Sequence, residues 1–328
     1  MTREATTSRS EEAMTDRPSS LLWEEARDRE TREEIYRFRY EQYFFRREYL
    51  PGTDHDGRRV WLPHDDVSRH FLLRTQEGRI VAVGTATPAD APAVCDEWRT
   101  MLELDALHDI LGLTTIISRV IVAAEERNGP LFGQMCLRLA SLLLEEGFRF
   151  AVHYCAPAVV SLYERLGYRI YGRGKNLESG AFRLPMMLVA DDVEHLRRVR
   201  SPLRRAVGGG DAGRAALAVS LCPPLAVTPL CAMEKEKAFA RLTGLCPALE
   251  FWPPERVRHL LRGAVIPVGK GDLFAAEGVN EGSFLVLDGC MRQGRRRFTA
   301  GSILHSGGEA VFAEENSRLT GAPFAAGD

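Results

Sequence analysis

Residues Ile117 to Gly172 constrain the fold more than any other stretch of this chain. They read as a strand, a glycine-bearing turn, an amphipathic helix, a second strand and then Leu162-Tyr163-Glu164-Arg165-Leu166-Gly167-Tyr168. After the turn at Asn128-Gly129-Pro130, a helix is predicted to Glu146, with Leu131, Met135, Leu139 and Leu142 on one face and Gln134, Arg138, Ser141 and Glu145 on another. Gly147 caps it. Phe150 to Cys155 reads as a strand, Pro157 to Leu166 as a short helix opened by proline at a favoured early position, and Gly167 to Tyr171 as the start of another strand. Upstream, Trp23 to Tyr49 has helical spacing and is stopped by Pro51-Gly52. His70 to Thr75 and Ile80 to Thr87 form a hairpin across Gln76-Glu77-Gly78-Arg79, and the next strand is Thr115 to Ala124. Helices alternating with strands around one mixed central sheet predict an α/β (α+β) architecture.

The chain has 328 residues, more than one ordinary core usually serves, so two domains are expected. The first twenty residues, rich in Ser, Thr and Arg but interrupted by Glu4, Glu11, Glu12 and Asp16, read as a disordered tail. A first domain is placed over 21–205. The basic run Arg197 to Arg205, followed by Gly208-Gly209-Gly210, marks its end, and a linker is placed over 206–233. Within that linker, Ala215 to Met233 lacks charge and has about the length of a membrane span, but Pro223, Pro224 and Pro229 would break the helix that lipid demands. No span is expected.

The second domain, 234–328, differs in kind. Helical patterns at Glu234 to Leu242 and Pro254 to Leu261 precede short apolar pieces punctuated by Gly269, Gly271, Gly278, Gly282, Gly289, Gly294 and Gly301. That spacing predicts a small β-roll or β-barrel with flanking helices.

A net charge of −2 supplies no general field that would draw the chain to nucleic acid. The seven cysteines are scattered, with no Cys-x-x-Cys pair and no Cys/His cluster at zinc spacing, which fits reduced thiols and a cytoplasmic location. No metal is expected, since neither Asp54-His55-Asp56 nor His70 beside Asp65 and Asp66 has a further ligand at convincing spacing.

On the strand Ser118-Arg119-Val120-Ile121-Val122, the turn and helix from Arg127, and the segment Leu162 to Tyr168, the first domain resembles the GCN5-related N-acetyltransferase superfamily from about Ile35 to Leu203. Further residues resemble the long-chain N-acyl amino acid synthases, relatives of the acyl-homoserine lactone synthases. These are Arg37-Phe38-Arg39-Tyr40-Glu41, Asp65-Asp66, Ser68-Arg69-His70-Phe71, Gly84-Thr85, Ser118-Arg119 and Leu184-Pro185-Met186-Met187-Leu188. The resemblance implies the acetyltransferase fold and an acyltransferase that moves an acyl group from a thioester, on acyl carrier protein or coenzyme A, to an amine such as an amino acid. It departs from the lactone synthases in having Ala86-Thr87 and Ile116-Ile117 where they carry Arg-Leu and a Glu.

In such an enzyme the donor is held by Val122, Ala123, Arg127, Asn128, Gly129, Leu131, Phe132 and Gly133, because amides at a turn and a helix N-terminus suit the phosphates of a pantetheine carrier. Strand amides near Val122 and Ala123 stabilise the oxyanion. Glu125 or Glu126 accepts the ammonium proton, and Tyr163 protonates the departing thiolate. Arg39, Asp66, His70, Ser118 and Arg119 line the small-molecule amine pocket. The basic run Arg197 to Arg205 offers a dock for an acidic carrier protein, and a lipid product would associate with membrane. The alternatives are an acetyl-CoA-dependent acetyltransferase and a non-catalytic sensor of acyl carriers or nucleotides.

Val265 to Arg318 resembles the cyclic nucleotide-binding domain. It does so through Gly269-Lys270-Gly271-Asp272-Leu273-Phe274, Ser283 to Gly289 and Gly308-Glu309-Ala310. The resemblance implies control by cAMP or cGMP bound through Gly308, Glu309, Ala310, Arg318 and Thr320, with the closing strands of that fold missing from this chain.

Overall fold

The structure is a computed structural model. It describes residues 21–44, 53–127, 129–177, 180–207, 209–253, 257, 260–275, 282–306 and 309–321. The expected tail therefore lies outside the described residues, as do Asn128, Gly308 and parts of the pattern at Pro254 to Leu261.

The chain opens with β1 (Leu22–Glu25) and α1 (Arg29–Phe44), then a small ribbon of β2 (Thr53–Asp54) and β3 (Arg59–Val60). Trp23 was expected within the helix. It lies in β1 instead, where its indole stacks on Phe71 with centroids 5.4 Å apart. Asp28 explains the late start of α1, because its carboxylate accepts from the Thr31 amide at 2.8 Å and so caps the first turn.

β4 (Arg69–Arg74) and β5 (Ile80–Pro88) form the expected hairpin, with Gly78 at φ +88° in its turn. α2 (Asp96–Met101) follows, then β6 (Thr114–Val122), α3 (Leu131–Glu145), β7 (Phe150–Cys155), α4 (Val160–Leu166), β8 (Arg169–Ile170), β9 (Lys175–Asn176) and β10 (Phe182–Val189). The strand order is β1-β4-β5-β6-β7-β10-β8, with β9 on β10, and only β6 and β7 run parallel. This is the expected mixed sheet.

α3 covers one face of that sheet because Leu131, Met135, Leu139 and Leu143 are buried on it. The inward position in the last turn belongs to Leu143 rather than Leu142, since 3.6 residues per turn carries the stripe forward. The helix seats against β5 at Gly84, where a side-chain Cβ would lie 2.9 Å from Leu139 Cδ1. The other face buries Trp98, Leu104, Leu107, Phe150 and Met187.

α5 (Val193–Arg198), α6 (Ala212–Leu221) and α7 (Lys235–Leu245) connect this layer to the C-terminal strands. Among the described residues no helix is long and apolar enough to cross a membrane.

The C-terminal strands are β11 (Val265–Val268), β12 (Leu273–Ala275), β13 (Gly282–Asp288), β14 (Cys290–Gln293), β15 (Arg296–Thr299), β16 (Ile303–Ser306), β17 (Val311–Ala313) and β18 (Ser317–Gly321). They pair antiparallel as two sheets, β11-β18-β13-β16 and β12-β17-β14-β15, which is the strand order of a jelly roll. Where the sequence suggested missing closing strands, β17 and β18 occupy interior positions, β18 between β11 and β13. The roll packs on the mixed sheet through Phe274, 5.7 Å from Phe182 of β10, and through Asn176 Nδ2 donating to the Leu273 carbonyl at 2.6 Å.

Candidate active site

β6 and β7 pair only from Thr114 to Ile116 with Phe150 to Val152, and beyond that no ladder joins them. The gap this leaves is bordered on the β6 side by a bulge. Thr85 pairs with Ser118 and Val83 with Ile121, so Arg119 and Val120 have no ladder partner on β5. Arg119 sits at φ +48°, an uncommon conformation for a residue with a side chain, and the bulge turns its guanidinium into the molecule. The Ala123 amide is already committed, donating to the Val81 carbonyl at 2.9 Å. Strand alternation turns the preceding amide, Val122 N–H, away from β5 and towards the gap. Of the two amides expected to face a substrate, Val122 is the one in place to do so.

Arg119 joins a buried polar cluster. Arg39, fully buried on α1, donates from Nη1 to both oxygens of Asp65 at 3.1 Å and from Nη2 to Thr85 Oγ1 at 2.6 Å. His70 Nε2 lies 3.0 Å from the Asp65 carbonyl, which places the proton there and leaves Nδ1 to accept from Arg39 Nη2 at 3.0 Å. Arg119 Nη1 reaches Asp65 Oδ1 at 3.3 Å and His64 Nε2 at 3.2 Å. The His64 ring packs on Trp98 with centroids 3.9 Å apart.

Burial lowers the basicity of His64, with Arg119 adding to the effect, to about 4, and burial together with Arg39 takes His70 to about 4 as well. Both imidazoles are neutral at pH 7. Burial opposes ionisation of Asp65, yet Arg39 and Arg119 hold its carboxyl below the usual range. Among the described residues the cluster therefore sets two guanidinium groups against one carboxylate, and so carries a net positive charge. Ser118 Oγ is buried beside it, with no partner among the described residues.

Four of the expected acceptor residues, Arg39, His70, Ser118 and Arg119, thus converge. Asp66 does not. The turn Pro63–Val67 points Asp65 inward, where its carboxylate also accepts from the Leu62 amide at 2.8 Å, and leaves Asp66 exposed on the surface. The expected bases Glu125 and Glu126 stand apart too, on the surface, at 2.5 and 2.9 Å from the Arg79 guanidinium. Asp65, His64, Thr85 and Trp98 were missed as members of the cluster. For Thr85 the available signal was its place opposite His70 in the expected hairpin; Asp65, His64 and Trp98 come from a turn and a helix that pair with no strand.

On the α3 side of the gap lies a narrow apolar slot, with a volume of about 40 Å³, lined by Ile117, Cys136, Leu139, Leu143, Tyr163 and Leu203 among others. Phe132 and His153 pack against Tyr163, with centroids 5.7 and 3.9 Å away. Burial pushes the Tyr163 hydroxyl well above its ordinary range, so it keeps its proton at neutral pH. α3 begins after Pro130 with no acid in its first turn, and among the described residues no side chain caps the amides at Leu131, Phe132 and Gly133, an arrangement that suits an anion. Gly129 approaches the Glu126 carbonyl closely, and Arg127 at this turn donates to Gln42 Oε1 at 3.1 Å.

The expected nucleotide residues do not converge. Arg318 on β18 is held by Asp288, Thr320 is fully buried in the same strand, and Glu309 is exposed ahead of β17, in the other sheet. Ala310 follows Glu309 and is half-buried.

No family model matches the chain, and no curated protein matches it. Among solved structures it is similar to a CoA-dependent acyl-homoserine lactone synthase, BjaI, at 17% identity over 59% of this chain and 93% of that one, with a TM-score of 0.42. It is also similar to FeeM, an N-acyl amino acid synthase from uncultured soil microbes, at 12% identity over 57% and 97% of the two chains, with a TM-score of 0.44. A third is an acetyltransferase of the GNAT family from Staphylococcus aureus Mu50, at 12% identity over 52% and 99%, with a TM-score of 0.36. The likeness is loose in each case, and the functional reading stands on this chain's own residues.

Proposed function

We propose that the protein transfers an acyl group from a thioester to the amine of a small carboxylate-bearing acceptor such as an amino acid. The observation that carries this reading is the gap between β6 and β7, which has an apolar slot on one side and a buried, cation-rich cluster on the other. The slot suits an aliphatic chain, which would enter by parting its side chains. The free amides of α3 suit the phosphates of coenzyme A or of a carrier protein's prosthetic arm. Arg119 and Ser118 suit the acceptor's carboxylate, which would balance the unpaired charge.

In this reading the amine nitrogen attacks the thioester carbon, and the Val122 N–H donates to the developing oxyanion. Donors of that kind contribute about 3–4 kcal/mol. The carbon–sulfur bond then breaks, the thiolate takes the Tyr163 proton, and the proton that the attacking nitrogen gives up returns through water to the Tyr163 phenolate, which restores the hydroxyl. The products are an amide and a free thiol.

The test is amine-dependent thiol release from acyl-CoA and acyl-carrier donors of varied length, with the amide identified by mass. Release that needs an amino acid supports the reading. Release that needs only water, or none across the donor series, would reject it.

A further inference from the structure

The segment that closes the slot is itself unusual in charge. Between Val193 and Arg205 the chain places Arg197, Arg198, Arg200, Arg204 and Arg205 on the surface, against a single acid, Glu194. Glu194 is taken by Arg198 at 2.5 Å, and no ion pair holds the other four among the described residues. The backbone beneath them is fixed. Ser201 is fully buried and donates from Oγ to the Leu166 carbonyl at 2.5 Å, while the Leu203 amide donates back to that Oγ at 3.1 Å.

Leu203 and Val207 line the slot, so Arg204 and Arg205 flank its wall directly. They flank a particular end of it. Val120 and, through its packing on His153, Tyr163 lie past the paired part of β6 and β7, beside the gap, whereas Phe148 and Arg149 precede that paired part and Gly210, three residues after Val207, lies against the Asp191 carbonyl at the same end of the sheet. Along α3 the slot runs from Cys136 to Leu144, about 12 Å at 1.5 Å per residue.

We infer that this arginine face seats the protein on an anionic lipid surface, with the far end of the slot turned towards the bilayer. The inference rests on the reading of the slot as the acyl site. In that reading the thioester lies at the Tyr163 end, so a carrier protein delivering it docks there and not at the arginines. What the arginine end meets is the tail of the chain, and an amphiphilic amide leaving water-excluded space gains most by passing into lipid. A cluster of this size is of the kind that binds anionic headgroups, and three arginines near such a surface are worth roughly a hundredfold in partition.

The experiment is co-sedimentation of the full chain with vesicles of phosphatidylcholine alone and of phosphatidylcholine mixed with phosphatidylglycerol. The wild type is compared with the combined Arg197→Gln, Arg204→Gln, Arg205→Gln variant, and thermal unfolding checks that the variant folds. Binding to the mixed vesicles only, weakened by salt and reduced tenfold or more in the variant, is expected, with thiol release from a soluble donor unchanged. Failure to bind the mixed vesicles, or equal binding by the variant, overturns the inference. So does loss in the variant of an acidic carrier protein's binding when vesicles never bind. Vesicle binding by a protein that shows no thiol release would sustain the lipid face and remove the acyl-transfer reading, so the two fail separately.

Discussion

Arg39 and Asp65 meet with Nη1 3.1 Å from both carboxylate oxygens, and neither side chain has any exposed surface. Asp65 is also the anion that Arg119 shares. Removing it leaves two guanidinium groups facing each other out of water, a change that costs about 3–5 kcal/mol when one partner of a buried pair is lost. Asp65→Asn is expected to lower the unfolding free energy by that amount, read as a lower denaturant midpoint at unchanged slope. Asp66→Asn, one residue along but exposed, is expected to shift it by less than about 0.5 kcal/mol.

Stability should peak near pH 6.5. His64, His70 and His195 are lowered to about 4, and His153 to about 3, by burial above all. As pH falls below 6.5 the unfolded chain takes up protons these rings refuse, so stability is lost towards acid, at up to about 1.4 kcal/mol per group per pH unit. Glu164 works the other way. Burial raises it to about 8, so the folded state holds a proton the unfolded chain has released above pH 4.5, and stability declines as pH rises towards 8. Above pH 6.5 the imidazoles no longer contribute a slope, and Glu164 does. Melting temperature against pH should therefore fall on both sides, and Glu164→Gln should flatten the alkaline side and steepen the acid side between about pH 4.5 and 6.5.

Tyr163→Phe is expected to lower kcat about a hundredfold while leaving the KM for the donor within twofold, the range a positioned proton donor supplies. A structural role would lower activity equally for every donor. If Tyr163 protonates the leaving sulfur, a donor built on a more acidic thiol should recover most of the loss.

Gly84→Val should loosen α3. A Cβ there already lies 2.9 Å from Leu139 Cδ1, so branched carbons force the helix off β5. Overpacking of this kind costs about 1–3 kcal/mol, and the measurement is again the denaturant midpoint. Leu139→Ala in the same chain should restore part of it.

Much of the first layer was legible in the sequence because its signals are local. Gly78 needs its positive φ for the hairpin turn, and the Leu131, Met135, Leu139 stripe faces a sheet wherever that sheet lies. The site was legible only in part. Arg39, His70 and Arg119 could be named from resemblance, but choosing Asp65 over Asp66 depends on a single turn of chain at Pro63–Val67, and one residue reverses which carboxylate points inward. The bulge at Arg119 is a count of residues between two strands, invisible until both are paired. The closing strands of the jelly roll were missed for a related reason. Val311–Ala313 and Ser317–Gly321 are short, and they become strands through partners far away in sequence, among them Val265–Val268.

The most direct test of the account concerns whether the slot holds the acyl chain. Ala140 lines it, and Ala140→Phe fills the space without touching the polar cluster. The measurement is single-turnover amide formation from a dodecanoyl and from an acetyl thioester, in wild type and in this variant, once its melting temperature shows it folded. Dodecanoyl transfer is expected to fall a hundredfold or more while acetyl transfer persists. Equal dodecanoyl transfer in the two proteins would contradict it.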